Sequence, residues 1–462
     1  MSSQNNNQAP IQIKRLERTR FEALAGHSRS PMAALFGQEV EWYADEAEIL
    51  TGVLILDTNK EYAAVVMGRD EGGRYCAIDQ ESCFSLPEEA RNWMEQSMKW
   101  HISTGEKEFP QGGPTRGLDL FTPVVPLVRQ HPYFVQLSKE DAYSPAKSMI
   151  EELMRHYVDV DGNFVEQFQS AGFDARLWEL YLNTCFIELE FSVERPDPSP
   201  DFLLSQFGST IAVEAVIAGR KADNPPSYFN NMPATPTPEE IMRELENDMP
   251  IRFGSPLFTK LKKEYWKLPH VEGKPLILAI ADFHGDQTML WSSTALQNSL
   301  FGLKHQATHD EAGNLSITPR TIKEHRVGSK VIPSGFFSQP NTEHLSGVLF
   351  SASGTIAKFN RMGRQSGFDA PGLKMIRKGF RYNPDPNAST PLPFCYEVNE
   401  SCREAWSEGL VMFHNPNALH PVSMDSFPNT THLRLLPDGQ VENRTPLFAP
   451  FSSVTTTIKL VK

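Results

Sequence analysis

The chain has little that would tie it to an oxidising compartment or to a membrane. Its 462 residues include five cysteines, Cys76, Cys83, Cys185, Cys395 and Cys402. The number is odd and no two form a Cys-x-x-Cys pair, which argues against a disulfide framework and a thiol zinc site and predicts reduced thiols. No apolar run approaches the roughly 20 residues that span a bilayer. The opening Met1 to Gln8 has neither the charged region nor the apolar stretch of a signal peptide. These absences predict a soluble, cytoplasmic protein without a membrane partner. An excess of positive charge is also missing: 44 Lys and Arg stand against 57 Asp and Glu, a net charge of −13. The chain thus lacks the global basic footprint of many nucleic-acid binders, although cations can still be concentrated on one face. There is no Gly-x-Ser-x-Gly elbow of the common serine hydrolases, and Ser353-Gly354-Thr355 lacks the spacing of a phosphate-cradling loop. Asp159-Val160-Asp161-Gly162-Asn163 places its glycine too early for a calcium loop, with Ser170 where the closing glutamate is required.

What is present is ordinary globular composition, 40% hydrophobic and 22% charged, in a chain long enough for about two to four domains. Four zones are expected. Residues 1–30 read as a polar, flexible leader whose Lys14, Arg15, Arg18 and Arg20 form either an electrostatic arm or the start of an exposed helix. Residues 31–145 read as a β-rich domain, with hairpin arms at 50–57 and 61–68 and a helix near 86–100, suited to contact with a protein partner. Residues 146–310 contain the candidate core, interrupted by a Pro-rich, mobile-looking insert from Asp223 to Pro238. Residues 311–462 read as a turn-rich α+β region.

The chemistry-bearing pattern lies in the third zone. Pro200 to Gln206 and Ser209 to Val216 read as strands, rich in aliphatic and β-branched residues and joined at Phe207-Gly208. A turn centred on that pair sets Asp201 opposite Glu214. Like charges in that position destabilise a sheet unless they are exposed, protonated or bridged by a cation. Upstream, Leu177 to Ile187 is apolar around nearly the whole helical wheel, with Glu179 as its one interior charge. Downstream, Pro256 to Trp266 carries an apolar stripe through Leu257, Leu261 and Tyr265, bordered by Lys260 and Lys262. Lys274 to Phe283 reads as a buried parallel strand, and a helix is expected near Ser293 to Leu300.

A helix with an internal Glu, a strand, Pro-Asp at the head of a second strand and Glu within a third: from about residue 174 to 302 the chain resembles the core of the PD-(D/E)XK nuclease superfamily. The resemblance implies a restriction-endonuclease-like central mixed sheet flanked by helices, within an α+β multidomain protein. It implies that Asp201 and Glu214 bind magnesium, with manganese as a substitute, and that Glu179 is an accessory acid. The family's lysine two residues after the strand glutamate is replaced by Val216. Either the site is inactive or the cation comes from elsewhere, and Lys260 is the expected replacement. The implied activity is metal-dependent hydrolysis of DNA phosphodiester bonds; the alternative is an inactive copy serving as a nucleic-acid-binding or protein-interaction module.

A candidate nucleic-acid surface runs from Lys358 to Arg381. Lys358, Arg361, Arg364, Lys374, Arg377, Lys378 and Arg381 there face a single acid, Asp369. Interleaved glycines and aromatics suit contact with DNA, or with RNA. Lys358, Arg361, Arg364, Arg377 and Lys378 are the expected phosphate contacts. A second cluster, Arg320, Lys323, Arg326 and Lys330, reads as an exposed helix or loop. Two imidazoles between Phe413 and His420 read as an Asn-Pro turn with His414 bonding locally, in preference to a metal site.

Overall fold

A computed structural model describes residues 11–112, 117–220, 226, 237–286, 288–368 and 370–460. Most of the Pro-rich segment and the first ten residues lie outside them. The chain is an α+β protein with several sheets. It divides into two units, one made of Met1–Asp119, Ser148–Val158 and Gly363–Phe368, the other of Leu120–Lys147, Asp159–Met362 and Asp369–Lys462.

The first unit opens with β1 (Ile13–Arg15) and α1 (Arg18–Ala25), followed by β2 (Gly37–Asp45), β3 (Leu50–Asp57), β4 (Tyr62–Arg69), β5 (Tyr75–Phe84) and α2 (Pro87–Thr104). The strands form an antiparallel sheet in sequence order. The expected hairpin arms and the helix after them are therefore present. The flexible leader is corrected from Ile13 onward: β1 pairs with β2, and α1 buries Phe21, Leu24 and Ala25. Its cations are held in ion pairs, Lys14 and Arg20 with Glu48 and Arg18 with Glu22; Lys14 and Arg15 lie on β1, while Arg18 and Arg20 begin α1, the start of a helix being one of the two expected alternatives. α2 buries Ala90, Met94, Ser97 and Met98, the spacing of one helical face. It approaches the sheet over Gly52, where a Cβ would lie 2.5 Å from Met94 Sδ.

The second unit is built around a sheet of eight strands. In chain order its elements begin with α3 (Pro132–Lys139), α4 (Ser144–Met154, which runs on into the first unit), α5 (Phe164–Gln169), α6 (Phe173–Glu188), β6 (Ser192–Glu194), β7 (Phe202–Gln206) and β8 (Ser209–Ala218). Next come α7 (Pro238–Arg243), α8 (Met249–Leu261), β9 (Leu276–Asp282), α9 (Ser293–Phe301), β10 (Leu303–His309), β11 (Leu315–Thr321), β12 (Glu324–Val327), β13 (Lys330–Pro333) and β14 (Gly347–Ser351). The last are α10 (Ile356–Gln365), β15 (Leu373–Arg381), β16 (Leu392–Glu397), β17 (Leu410–His414), β18 (Thr431–Leu435), β19 (Val441–Arg444) and β20 (Pro450–Lys459). The sheet order is β19-β18-β17-β14-β9-β8-β7-β6. β9 runs parallel to both β8 and β14, and all seven of its residues are buried. A continuous apolar run is what a strand covered on both faces requires.

Strands β14, β17, β18 and β19 continue the sheet that β6 to β9 begin, so the expected boundary near residue 310 falls inside one folded unit. The zone read as a separate C-terminal region supplies half of that sheet, together with a smaller one of order β16-β15-β20. The cluster Arg320, Lys323, Arg326 and Lys330 falls on β11 to β13 and the link between them, strand hairpins where a helix or loop was expected.

Helix α6 anchors this unit. Trp178 is fully buried and its indole Nε1 donates to the Ala279 carbonyl of β9 at 3.1 Å. The Tyr181 hydroxyl donates to the Trp406 carbonyl at 3.0 Å. At the helix end the Glu188 carboxylate accepts the backbone N–H groups of Trp406 and Ser407 at 2.6 and 2.8 Å. Residues more than two hundred positions apart are thereby joined. Removing the indole leaves a large void, and Trp178→Ala is expected to lower the unfolding free energy by about 3–5 kcal/mol in urea denaturation. Trp178→Phe, which keeps a ring but loses the hydrogen bond, should cost about 1–3 kcal/mol.

Candidate active site

The β7–β8 hairpin turns at Phe207 and Gly208, whose φ angles of 48° and 80° are both positive. Such a two-residue turn matches the strand twist. The pairing starts at Gln206↔Ser209 and reaches Phe202↔Val213, so the next rung faces Asp201 with Glu214, as the sequence predicts. At this rung the carboxylates themselves take part in the ladder. Asp201 N–H donates to Glu214 Oε2 at 3.2 Å, and Ala215 N–H donates to Asp201 Oδ2 at 2.7 Å.

Glu214 is 3% exposed. Its other oxygen, Oε1, accepts from Lys260 Nζ and from the Tyr265 hydroxyl, the latter at 2.7 Å. Asp201 is half-buried and is pushed up to about 8, first by burial and then by the charges of Glu214 and Glu179. Glu179 is also raised by burial, against the opposing effect of Arg176. Arg176 Nη1 donates to both Glu179 oxygens at 3.0 and 2.8 Å, and Arg195 Nη2 reaches Oε2 at 3.4 Å. Three carboxylates therefore act on one another electrostatically, two side by side on the hairpin and one on α6.

Lys260 lies near the end of α8. That helix begins at Met249, seven residues before the expected Pro256, which is accommodated inside it. Val216, at the position where the resembled family has lysine, is buried in the apolar core with Leu257 and Leu261 of α8. Lys260 reaches Glu214 from α8. Helical spacing assigns Tyr265 only to the apolar stripe, whereas its ring is buried and its hydroxyl meets Glu214. Arg176 and Arg195 were also missed. The signal for Arg176 was its place three residues before Glu179, the spacing of facing residues on a helix.

No family model, curated protein or solved structure matches the chain. Among the described residues no group of three or more His, Cys, Asp and Glu side chains is arranged to hold a metal ion. The donor set that is present consists of hard carboxylate oxygens, and magnesium takes one or two protein carboxylates with retained waters. Asp201 Oδ1 receives no hydrogen bond among the described residues. A divalent cation at that oxygen would offset the burial and the neighbouring carboxylate charges that together raise the Asp201 carboxyl. On these grounds the residues fit such an ion.

The expected phosphate surface is corrected in three of its five residues. Lys358, Arg361 and Arg377 are buried and converge on one carboxylate. Lys358 Nζ donates to Glu404 Oε1 at 2.7 Å, Arg361 to both Glu404 oxygens at 2.8 and 2.9 Å, and Arg377 Nη1 lies 3.2 Å from Glu404 Oε2. Arg377 also donates to Glu408 at 2.6 Å. Their partners lie beyond the basic segment in sequence, which is why counting only Asp369 against them misled. Lys378 is exposed on β15 and Arg364 is half-buried. Although burial opposes ionisation of Glu404, Arg361, Lys358 and Arg377 hold its carboxyl well below the usual range. His414 Nε2 is 2.9 Å from His432 Nδ1 of the neighbouring strand. Its partner is thus a strand neighbour, not the Asn-Pro turn, and burial and His432 lower His414 to about 4. Asp159 accepts the backbone N–H groups of Gly162 and Phe164, both at 2.9 Å, at the start of α5.

Two outcomes follow. Between about pH 4 and pH 8 folded Asp201 retains a proton that the unfolded chain, with an ordinary value of 3.8, has shed. Stability from this group is complete below that window and is lost as pH rises through it. Asp201→Asn should flatten the decline by on the order of 1 kcal/mol or more, measured as unfolding free energy against pH. Glu404→Ala leaves three buried cations short of their carboxylate and should cost about 3–5 kcal/mol in urea denaturation.

Proposed function

We propose that the chain is a metal-dependent nuclease that hydrolyses DNA phosphodiester bonds, with Asp201 and Glu214 holding Mg²⁺ or Mn²⁺. The observation that carries this reading is that Asp201 and Glu214 face each other at the open end of the β7–β8 hairpin and Lys260 of α8 reaches Glu214 there, under the electrostatic influence of Glu179. The order of elements supports it as well: α6, the strands β6 to β8, α8, β9 and α9 follow one another as a restriction-endonuclease-like core requires. A divalent ion bound there supplies Lewis-acid polarisation of the phosphoryl oxygen and lowers the pKa of a coordinated water.

The residues of the chain have distinct parts in this reading. Asp201, whose Oδ2 already accepts the Ala215 amide, would hold the ion, and the proton held on its carboxyl would pass to solvent. Glu214 is held in one orientation by the Tyr265 hydroxyl and the Asp201 amide. Lys260 brings a positive charge to the place where negative charge develops on the phosphate, as preorganised cations do in phosphoryl chemistry. Glu179, which acts on both carboxylates electrostatically, would help position the water or a second metal. A second reading, a nuclease fold with a decayed site that binds nucleic acid or protein, is favoured by the apolar Val216 and by the saturation of Glu214 Oε1 with two donors from the chain.

Purified protein with Mn²⁺ or Mg²⁺ should cut plasmid or oligonucleotide DNA and be silenced by EDTA. Glu214→Gln should reduce cutting to background, and Lys260→Ala should slow it by about 10²–10³-fold. Independently of cleavage, titrating metal into the protein in weak buffer near pH 7 should release protons, and Asp201→Asn should abolish that release. Metal binding without cutting would leave the decayed-site reading standing; neither would remove the metal centre.

A further inference from the structure

A cleft of about 590 Å³ opens next to Lys260. Its floor is apolar, made by Val216 and Ala218 at the end of β8 and by Ile251 of α8, and among the described residues its lining sets Arg252, Lys260 and Lys330 against one acid, Asp248. Arg252, Ser255 and Thr259 follow one another at helical spacing, so one face of α8 forms a wall. The β12–β13 hairpin contributes Val327 and Lys330. That hairpin is fastened in place: His325 Nδ1 lies 3.0 Å from the Glu246 carbonyl and Nε2 lies 2.9 Å from Ser334 Oγ. Ile332 packs over Gly254, where a Cβ would come within 2.7 Å of it.

An apolar floor under a cationic rim fits an anion with a flat hydrophobic body. A site for phosphate alone would need no such floor. The volume lies within the range of small-molecule sites and admits a nucleotide but not a duplex. A base inside a duplex is stacked on both faces and must leave the helix before a pocket can receive it. Lys260 belongs both to this cleft and to the Glu214 ion pair, so a strand seated here would pass its backbone beside the paired carboxylates.

Resting on the nuclease reading, we propose that this cleft seats an unpaired nucleobase of the DNA strand, with its phosphates on Arg252, Lys260 and Lys330, so that the substrate is single-stranded DNA or a frayed end and not intact duplex.

The test is fluorescence anisotropy of the full chain in EDTA with a short labelled oligothymidylate, beside a blunt hairpin duplex of the same strand length. The single strand should bind at least about tenfold more tightly. Ser255→Trp, which fills the cleft from an exposed helix position, and Lys330→Glu on the exposed hairpin should each weaken it by about tenfold. Thymidine monophosphate should compete, and inorganic phosphate at equal concentration should not. Equal affinity for duplex, full affinity in Ser255→Trp, or competition by phosphate as effective as by the nucleotide would each overturn the assignment. Asp201→Asn separates it from the nuclease reading, since that variant should keep the binding preference and lose cutting. If it cuts like the parent, the metal-centre reading fails while the single-strand preference stands.

Discussion

A carboxylate at the exposure of Glu214 is stable only if the oxygens it turns inward meet donors, and much of the second unit converges on that requirement. The strand beside it supplies the Asp201 amide, α8 supplies Lys260, and the turn after α8 supplies the Tyr265 hydroxyl. On its other side β8 pairs in parallel with the fully buried β9, with Glu214 opposite Leu278. The hairpin register, the position of α8 and the depth of β9 in the sheet are thus mutually constrained. A shift of one residue in β8 would turn Glu214 to the opposite face of the sheet and away from Lys260 and Tyr265.

Two kinds of buried charge coexist in this unit. Glu404 is surrounded by Lys358, Arg361 and Arg377, and the surplus of positive charge keeps it ionised. Asp201 is in the opposite situation, with burial and two other carboxylates pushing it up to about 8. The first arrangement holds elements together, joining α10, β15 and the loop around Glu404. The second leaves a carboxyl with an unspent affinity for positive charge. Perturbed carboxylates occur both at functional sites and in structural ion networks; here the direction of the shift, up for Asp201 and down for Glu404, distinguishes the hairpin pair from the ion network.

The paired carboxylates were legible because they depend on local rules. Strand-forming arms and a turn at Phe207-Gly208 determine which residues face each other, and the observed register follows directly. Lys260 was legible as the cation bordering an apolar helical stripe. The role of Tyr265 was hidden, because one side chain serves both the apolar core and a polar contact. The basic segment failed for the converse reason. Seven cations with one acid nearby look like a surface when only neighbours in sequence are counted, yet Glu404 and Glu408 return from more than twenty residues further along and bury three of them.

The sequence alone determined the hairpin arms β3 and β4, the strands β7, β8, β9 and β14, the buried helix α6 and the facing of Asp201 with Glu214, all consequences of periodicity and turn geometry over a few residues. Tertiary structure decided what no local pattern encodes. It joined β14, β17, β18 and β19 to the sheet begun by β6 to β9, packed the basic leader from Ile13 onward against the first sheet, and turned Arg377 inward. It also placed the β12–β13 hairpin beside α8, forming the cleft at Lys260. Each of these outcomes depends on a partner distant in the chain, and the free energy of burying a side chain belongs to the assembled neighbourhood and not to the residue.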